Sequence, residues 1–465
     1  MYFVWRGDLH IKIREWHEIY GEAVRTGPDT VSYNSATANE QINAVRARTV
    51  KSDGYRSMST SRTTPNTISA IDKKTHSFKR RIQSQVLSEA GLKTVEGRVL
   101  GHVQEFVDYL GPDADAPMSE KTRDAEGWGP SRNMSEACNF MTYNVISDLC
   151  YGESLDLFKA CDLRWFPGAV ALISRRVVMG MLHPKFNAWK LDRLVFLTKR
   201  SRMLHLAAWV RERGSARAAR GNDVEQRDIF YSMMNTADPK TGGHLTSKDL
   251  WLEAMMVLIA GSDTTSTAMA GTLHHLLHSP QALAEVSDEV RSRFETAEDV
   301  TPARVAGCKF VRACIDEAMR LTPPVVHGPP RRVEAGGVEV KGEYFGEGTI
   351  LQAPIYSLHR NEEYFEAPDE YRPWRWMVEG DDFDRASRAF VPFHVGPYSC
   401  VGWRLAVMEL TTALARIVFS YDMRLSPGAH CCGGKPSAGS CPYQVKGWMT
   451  SIAEGPVAQF KARSS

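Results

Sequence analysis

The stretch "PFHVGPYSCVGWRLA", residues 392–406, decides how the chain is to be understood. It places Cys400 between two glycine-containing turns and before a helix-like run, where helix N–H groups and the helix dipole stabilise a thiolate. Phe393 and Gly396 precede it, so a flat ligand could press against the loop. A structural cysteine is the alternative on this loop alone. A nucleophilic cysteine would need a base, and His394 is the only histidine close in sequence.

Composition narrows the class of protein. The 465 residues are 43% hydrophobic and 24% charged, as in a soluble globular protein. A net charge of +2 argues against nucleic acid as the main partner. Nine irregularly spaced cysteines without a signal peptide favour reduced thiols. Charges interrupt the N-terminus too often for a membrane anchor, so we expect a cytosolic chain as written. An anchor upstream in the natural chain would place it on the cytosolic face of the endoplasmic reticulum.

Apolar spacing of three and four residues dominates the chain and predicts a mainly α fold with a small β subdomain. We expect one domain over residues 1–465, surface loops at 111–132 and 213–228, and a long buried helix around 251–277. The β-rich parts are expected at about 22–50, 325–357 and 421–460.

A second signal is "AGSDTTS", residues 260–266, in the middle of the long apolar helix. A buried Asp263 is costly unless it is used. Together with the Thr264 hydroxyl it suits proton delivery through water, while Gly261 allows close approach to the helix backbone. A helix bent by serine and threonine, with a capping aspartate, is the alternative.

A third signal joins two distant segments. In "EAMR", Glu317 and Arg320 share one helix face. In "YRPWRW", Arg375 lies among aromatic residues. One carboxylate clamped by two guanidinium groups would hold the later loop against the helix.

Along the chain, "AGSDTTS", "EAMR", "YRPWRW" and the cysteine stretch follow one another in the order that is typical of the cytochrome P450 superfamily. The chain resembles that superfamily over nearly its whole length. The run "DKKTHSFKRR" resembles the fungal microsomal members in particular. The resemblance implies a triangular helical domain around a buried haem b, with dioxygen as co-substrate.

The resemblance also implies roles for individual residues. Cys400 would be the thiolate ligand of the haem iron, Asp263 and Thr264 would deliver protons, and Glu317, Arg320 and Arg375 would form a structural triad. The cofactor-binding set would be Cys400, His76, Arg80, Arg331, Phe393, Gly396, Tyr398, Gly402, Ala260 and Gly261.

Tyr398 departs from the family pattern, which usually has arginine or histidine there to reach a haem propionate. Tyrosine donates one hydrogen bond but brings no positive charge. Our hypothesis is that His76, Arg80 and Arg331 still hold haem, with looser anchoring or a shifted reduction potential.

The expected function is that of a haem-thiolate monooxygenase of fungal secondary metabolism, acting on a small apolar organic substrate. Electrons would come from NADPH through a cytochrome P450 reductase. We expect a monomer with at most peripheral membrane contact and a pocket that includes Val325, Val326, Trp448 and Met449. The alternatives are a haem-thiolate enzyme that catalyses oxidative coupling, isomerisation or dehydration, and a degenerate haem-binding protein.

Two weaker features complete the set of expectations. The basic residues Lys79, Arg81, Lys93 and Arg404 could form part of a reductase-docking face or be ordinary surface charge. The segment with His430, Cys431, Cys432 and Cys441 fits structural zinc spacings poorly and is expected to be an exposed loop.

Overall fold

The computed structural model describes residues 1–59, 61, 63–112, 124–224, 227–428 and 443–463. Most of the described chain is helical, which confirms the mainly α prediction. The α-helices are α1 (Tyr2–Arg6), α2 (Leu9–Tyr20), α3 (Ala36–Ile42), α4 (Lys73–Val86), α5 (Glu89–Lys93), α6 (Glu96–Leu110), α7 (Met134–Tyr151), α8 (Phe166–Leu182), α9 (Pro184–Ala188), α10 (Leu191–Val195), α11 (Arg200–Arg220), α12 (Ile229–Asn235), α13 (Ser247–Leu277), α14 (Pro280–Arg293), α15 (Pro302–Val305), α16 (Lys309–Leu321), α17 (Ile355–Leu358), α18 (Asp381–Ala389) and α19 (Trp403–Ser420). Short 3₁₀ helices lie at Asp53–Met58, Cys161–Leu163, Leu197–Lys199, Pro373–Trp376 and Gly396–Tyr398.

The strands form small sheets. They are β1 (Ala23–Arg25), β2 (Thr30–Tyr33), β3 (Thr49–Lys51), β4 (Arg132–Asn133), β5 (Arg331–Val333), β6 (Val338–Val340), β7 (Glu343–Phe345), β8 (Ile350–Gln352), β9 (Tyr421–Leu425), β10 (Lys446–Gly447), β11 (Ser451–Ile452) and β12 (Val457–Ala462). The largest sheet has the order β1-β2-β8-β5-β3, and only its β2–β8 pair is parallel. Its edge pair, β3 with β5, places Lys51 directly opposite Arg331.

The long apolar segment is one buried helix, α13, as the sequence predicts. Thr246 and Asp249 begin it with a capping box, in which each side chain accepts a hydrogen bond from the other residue's backbone N–H. The helix packs against α7, α11, α16 and α19, so most of its surface faces other helices. Asp263 and Thr264 are thereby fixed near the middle of the fold.

A buried ion pair fixes α4 against α13. The Lys79 ammonium lies 2.5 Å from an Asp249 carboxylate oxygen and 3.1 Å from one of Glu253. Gln83 donates a further hydrogen bond to Glu253 at 2.8 Å. Lys79 is therefore a structural residue and not part of an exposed docking face, and the network sets the position of α4, which carries His76.

Several elements differ from the prediction. The loop expected at 213–228 is wrong over its first part, because α11 continues to Arg220. The buried Arg217 guanidinium explains the extension, since it pairs with Asp228 at 2.6 Å, and the same carboxylate caps α12. The helix α3 and the strand β4 were not predicted. The cysteine-containing segment 430–441 lies outside the described residues.

Among the residues that the structure describes, one helical stretch, Cys161–Leu182, is long and apolar enough to cross a membrane. Half of the residues in its most apolar 18-residue segment are buried inside the fold. Core helices of soluble proteins can be equally long and apolar, so this stretch is weak evidence for a span.

Candidate functional site

The cysteine loop is held by its backbone. The N–H of Cys400 donates to the carbonyl of Phe393 at 2.8 Å, and Gly402 is the N-cap of α19. Gly396 has a φ of +74°, and a Cβ atom there would lie 2.0 Å from the carbonyl oxygen of Asn43. Glycine is required at this position both for the left-handed backbone and for the close contact.

Cys400 lies two residues before the N-cap of α19. Its surface is exposed, yet burial raises the pKa of its thiol above the ordinary value. The N–H of Gly402 and the charge of Arg80 act in the opposite direction and favour the thiolate. His394 does not act as its base: burial lowers the pKa of His394 to about 3, and its Nε2 accepts a hydrogen bond from Arg331 at 3.2 Å.

The structure brings His76 and Arg331 to Tyr398 and Arg80 to the adjacent Ser399. The rings of His76 and Tyr398 have centroids 4.7 Å apart. The Arg331 guanidinium lies 4.5 Å from the Tyr398 ring centroid. Arg80 donates to the carbonyl of Ser399 and, at 3.4 Å, to its hydroxyl. Tyr398 is thus the aromatic centre of a basic cluster.

The cluster contains a further basic residue, Lys51, which the sequence did not predict as part of the site. Its ammonium is buried, lies 5.1 Å from the Tyr398 ring centroid, and donates to the carbonyls of Thr67 and Ile68 at 2.8 and 2.7 Å. A lysine at the end of a short strand carries no local signal. Only the pairing of β3 with β5 shows that it faces Arg331.

At the centre of α13, Asp263 and Thr264 point to different partners. The Thr264 hydroxyl donates to the carbonyl of Ala260 at 2.8 Å. The Asp263 carboxylate accepts hydrogen bonds from the hydroxyls of Tyr143, at 2.5 Å, and Thr450, at 3.2 Å. Burial raises the pKa of Asp263 to about 6, although both donors act to lower it. Neither Tyr143 nor Thr450 was predicted.

A cavity of about 590 Å³ ends at Ala260, Asp263 and Thr264. Its walls are mainly apolar and include Ile68, Val177, Phe196, Met203, Leu206 and Met256. Gly261 does not line it; a Cβ there would meet the Ile146 side chain of α7 at 3.0 Å. A second, smaller cavity of about 150 Å³ also reaches Asp263 and is lined in part by Asn139, Ser266 and Thr267. The carboxyl group therefore lies between two cavities.

The predicted pocket residues divide into two groups. Val325 and Met449 line the larger cavity. Val326 is fully buried in the core, and Trp448 packs beside the Arg175 guanidinium, 5.1 Å from its ring centroid. Because Val326 and Trp448 do not line the cavity, the structure does not place them in the pocket.

The structure brings Glu317, Arg320 and Arg375 together. One Glu317 oxygen lies 2.9 Å from Arg320 and 3.0 Å from Arg375. The indole N–H of Trp376 donates to the other oxygen at 2.9 Å. The charges of both arginines lower the pKa of Glu317 in spite of its burial. Such a group joins α16 to the later loop.

Comparisons with known proteins agree with this architecture. The family model described as Cytochrome P450 matches residues 2–432. The cytochrome P450 monooxygenase apf7 of Gibberella fujikuroi is 32% identical, over 100% of this chain and 90% of its own length. The cytochrome P450 monooxygenase AKT7 of Alternaria alternata is 31% identical, over 99% and 89%. Among solved structures, the cytochrome P450DA heme domain superposes with a TM-score of 0.76 at 18% identity, over 98% of this chain and 93% of that one.

The chain therefore belongs to the cytochrome P450 family. It is a haem monooxygenase, an oxidoreductase that incorporates oxygen, and it resembles fungal members. The P450 fold expected from the sequence is confirmed.

The residues present fit a haem. In the described part of the chain, Lys51, Arg80 and Arg331 have no carboxylate partner within 4.0 Å. Buried cations without anions are costly, so the cluster suits a ligand with carboxylate groups, which the two haem propionates supply. An accessible cysteine beside a helix N-terminus and near the charge of Arg80 suits a thiolate-bound metal.

Proposed function

We propose that this protein inserts one oxygen atom of dioxygen into a small apolar organic substrate, with electrons from NADPH through a cytochrome P450 reductase. The larger cavity carries the proposal, because it is mainly apolar and ends at an acid and a hydroxyl group. We further propose that residues 1–465 form one catalytic domain that acts as a monomer. Fungal secondary metabolism is the proposed setting, by analogy with the relatives.

The proposed haem site uses the residues described above. Cys400 would hold the iron through its thiolate, with Phe393, Gly396 and Gly402 shaping the loop. His76, Arg80 and Arg331 would hold the propionates. When bound, haem supplies the oxygen activation, which no amino-acid side chain provides. The triad of Glu317, Arg320 and Arg375 would keep the loop that precedes the cysteine segment in place. Ala260 and Gly261 would lie beside the haem, next to the proton-delivering pair Asp263 and Thr264.

Proton delivery is the proposed role of Asp263 and Thr264. A carboxyl group with a pKa of about 6 exchanges protons readily near neutral pH. Asp263 reaches both cavities, so it can take a proton from the smaller, more polar cavity and pass it toward the larger one. The Thr264 hydroxyl lines the larger cavity and can place a water molecule there.

Oxygen labelling tests the function. Apolar compounds would first be screened for a shift of the haem absorption band in the purified protein. The best compound would then be incubated with a fungal reductase, NADPH and ¹⁸O₂. We expect NADPH consumption that depends on the compound and a product with one ¹⁸O atom. An unlabelled product would favour isomerisation, dehydration or coupling, and NADPH consumption that no compound raises would contradict the proposal.

An exposed apolar patch supports peripheral membrane contact. It consists of Trp189, Leu191, Leu194, Val195, Leu197 and Leu204, of which Leu194 is 71% exposed. Lysines Lys185, Lys190 and Lys199 lie in the same segment. The N-terminal helix α1 adjoins it, because the rings of Trp5 and Phe196 are 5.9 Å apart. Apolar residues flanked by lysine are typical of surfaces that lie in the lipid interface.

Vesicle binding tests this contact. We expect the protein to sediment with vesicles of phosphatidylcholine and phosphatidylserine, and the double variant Leu194→Ser, Leu197→Ser to do so several-fold less. Tyr344→Ser is the matched control, since Tyr344 is 70% exposed on β7, outside the patch. Equal sedimentation of the double variant and the control would contradict the membrane role.

The proposed reductase-docking face keeps two of its four basic residues. Lys93 and Arg404 are exposed and accessible to a partner. Arg81 pairs with Asp238 instead.

A further inference from the structure

The basic cluster around Tyr398 contains a like-charge pair that needs an explanation. Lys51 and Arg331 are directly opposite each other on β3 and β5. Like charges at such positions destabilise a strand pair, and here both side chains are buried. In the described residues neither has a carboxylate within 4.0 Å; their hydrogen-bond partners are carbonyls, an amide, a phenol and an imidazole.

The geometry around Tyr398 shows where the two charges converge. Its ring centroid lies 5.1 Å from the Lys51 ammonium and 4.5 Å from the Arg331 guanidinium. A ring within reach of two cations can stabilise both through its π electrons without neutralising either. Two basic side chains therefore converge at the position where the family usually has one positively charged side chain.

We propose that Lys51 binds a haem propionate and supplies the positive charge that position 398 lacks in this chain. Tyr398 then acts as a positioning residue, because its ring fixes the directions of Lys51 and Arg331. The inference rests on the proposed haem site and adds to it a strand residue and a reason for the tyrosine.

The hydrogen bonds of Lys51 fit this role. An ammonium has three N–H donors, and the carbonyls of Thr67 and Ile68 take two of them. The third donor is left for a carboxylate. Burial, followed by the charge of Arg331, lowers the pKa of Lys51 to about 6, and a neighbouring carboxylate would favour the charged form again.

The experiment compares haem loss with two haems. Apoprotein of the wild type and of Lys51→Met is reconstituted with haem or with haem dimethyl ester, whose propionates are uncharged. Transfer to excess apomyoglobin then gives the rate of loss. With haem we expect Lys51→Met to lose it about tenfold faster than the wild type, because a buried charge pair is broken. With the dimethyl ester we expect equal rates.

Three further variants complete the test. Lys73→Met is the matched control and should behave as the wild type, because Lys73 is a surface residue paired with Glu334. Tyr398→Arg added to Lys51→Met should restore slow haem loss and raise the reduction potential, which Lys51→Met alone should lower. If Lys51→Met does not fold, Lys51→Gln removes the charge and retains an N–H donor for the two carbonyls.

The possible results distinguish failure of the Lys51 proposal from failure of the proposed haem site. A Lys51 effect of the same size with both haems would overturn the proposal, since it would show a structural role independent of the propionates. Haem loss no faster than in Lys73→Met would also overturn it. The absorption band of the reduced carbon monoxide complex reports on the thiolate. A normal band in the wild type therefore shows that the proposed haem site holds even if the Lys51 proposal fails.

Discussion

Replacing Cys400 with alanine is expected to abolish the strongly red-shifted Soret band that the wild-type protein should give when it is reduced with dithionite and exposed to carbon monoxide. That band reports a thiolate bound to haem iron. The fold should persist, because the backbone N–H of Cys400, which alanine retains, makes the bond to Phe393. Monooxygenase turnover should be lost completely with the band.

The physical reason lies in the balance of effects on the thiol. Burial raises the pKa of Cys400, and the Gly402 N–H with Arg80 only partly offsets it. A bound metal ion removes the proton from a coordinating thiol outright. The loop would thus supply Cys400 as the group that holds the iron, and binding of the iron would favour its thiolate form.

Cys161→Ala is the matched control, because Cys161 is also an exposed free cysteine but lies in a distant 3₁₀ helix. It should keep the red-shifted band and full turnover. Retention of the band in Cys400→Ala would show that another residue holds the iron.

How far the sequence predicts the fold depends on the range of the signal. The helix α13 was predictable because its apolar run is long and its charges are few. The extension of α11 to Arg220 was not, because it depends on the buried pair of Arg217 with Asp228. Local patterns specify elements, whereas tertiary contacts extend or end them.

The same distinction applies to the site. The roles predicted for Cys400 and Thr264 rest on the resemblance of two local motifs to the family, and they stay predictions. The position of Lys51 opposite Arg331 depends on the pairing of β3 with β5, and the hydrogen bond from Tyr143 to Asp263 depends on the packing of α7 on α13. Neither contact has a local sequence pattern. Val326 and Trp448 were assigned to the pocket from the resemblance. Val326 is buried in the core, whereas the partly buried Trp448 packs beside Arg175 at a separate apolar cluster.

Asp263→Asn is expected to lower turnover on the order of a hundredfold to ten-thousandfold, the range typical for loss of a positioned general acid. The amide keeps the shape of the carboxyl group but cannot transfer a proton. The measurement is product formed per NADPH consumed, with the compound that gives the largest spectral shift. Peroxide should account for most of the electrons in the variant.

Stability measurements separate this loss from unfolding. The pKa of Asp263 in the fold, about 6, lies above the ordinary aspartate value of 3.8. The unfolded chain therefore releases this proton at lower pH than the folded one, and wild-type stability falls as pH rises from about 4 through 6. Asp263→Asn has no such loss, so at neutral pH it should unfold at an equal or higher denaturant concentration than the wild type.

Tyr143→Phe tests the hydrogen bond that sets this pKa. The Tyr143 hydroxyl donates to Asp263 and lowers its pKa, so removing it should raise the pKa further. Turnover that needs the protonated carboxyl declines as pH rises through about 6 in the wild type. In the variant this decline should move to higher pH by about one unit, since a hydrogen bond to a charged group contributes about 1.5–3 kcal/mol.

Tyr151→Phe provides the matched control on the same helix. Tyr151 is buried on α7, and its hydroxyl has no hydrogen-bond partner within the described residues. Its replacement should leave the pH profile unchanged, because no donor to Asp263 is removed. A decline at the same pH in Tyr143→Phe and Tyr151→Phe would mean that Asp263 does not control the profile, and the proton path would then have to run through Thr264 without the carboxyl group.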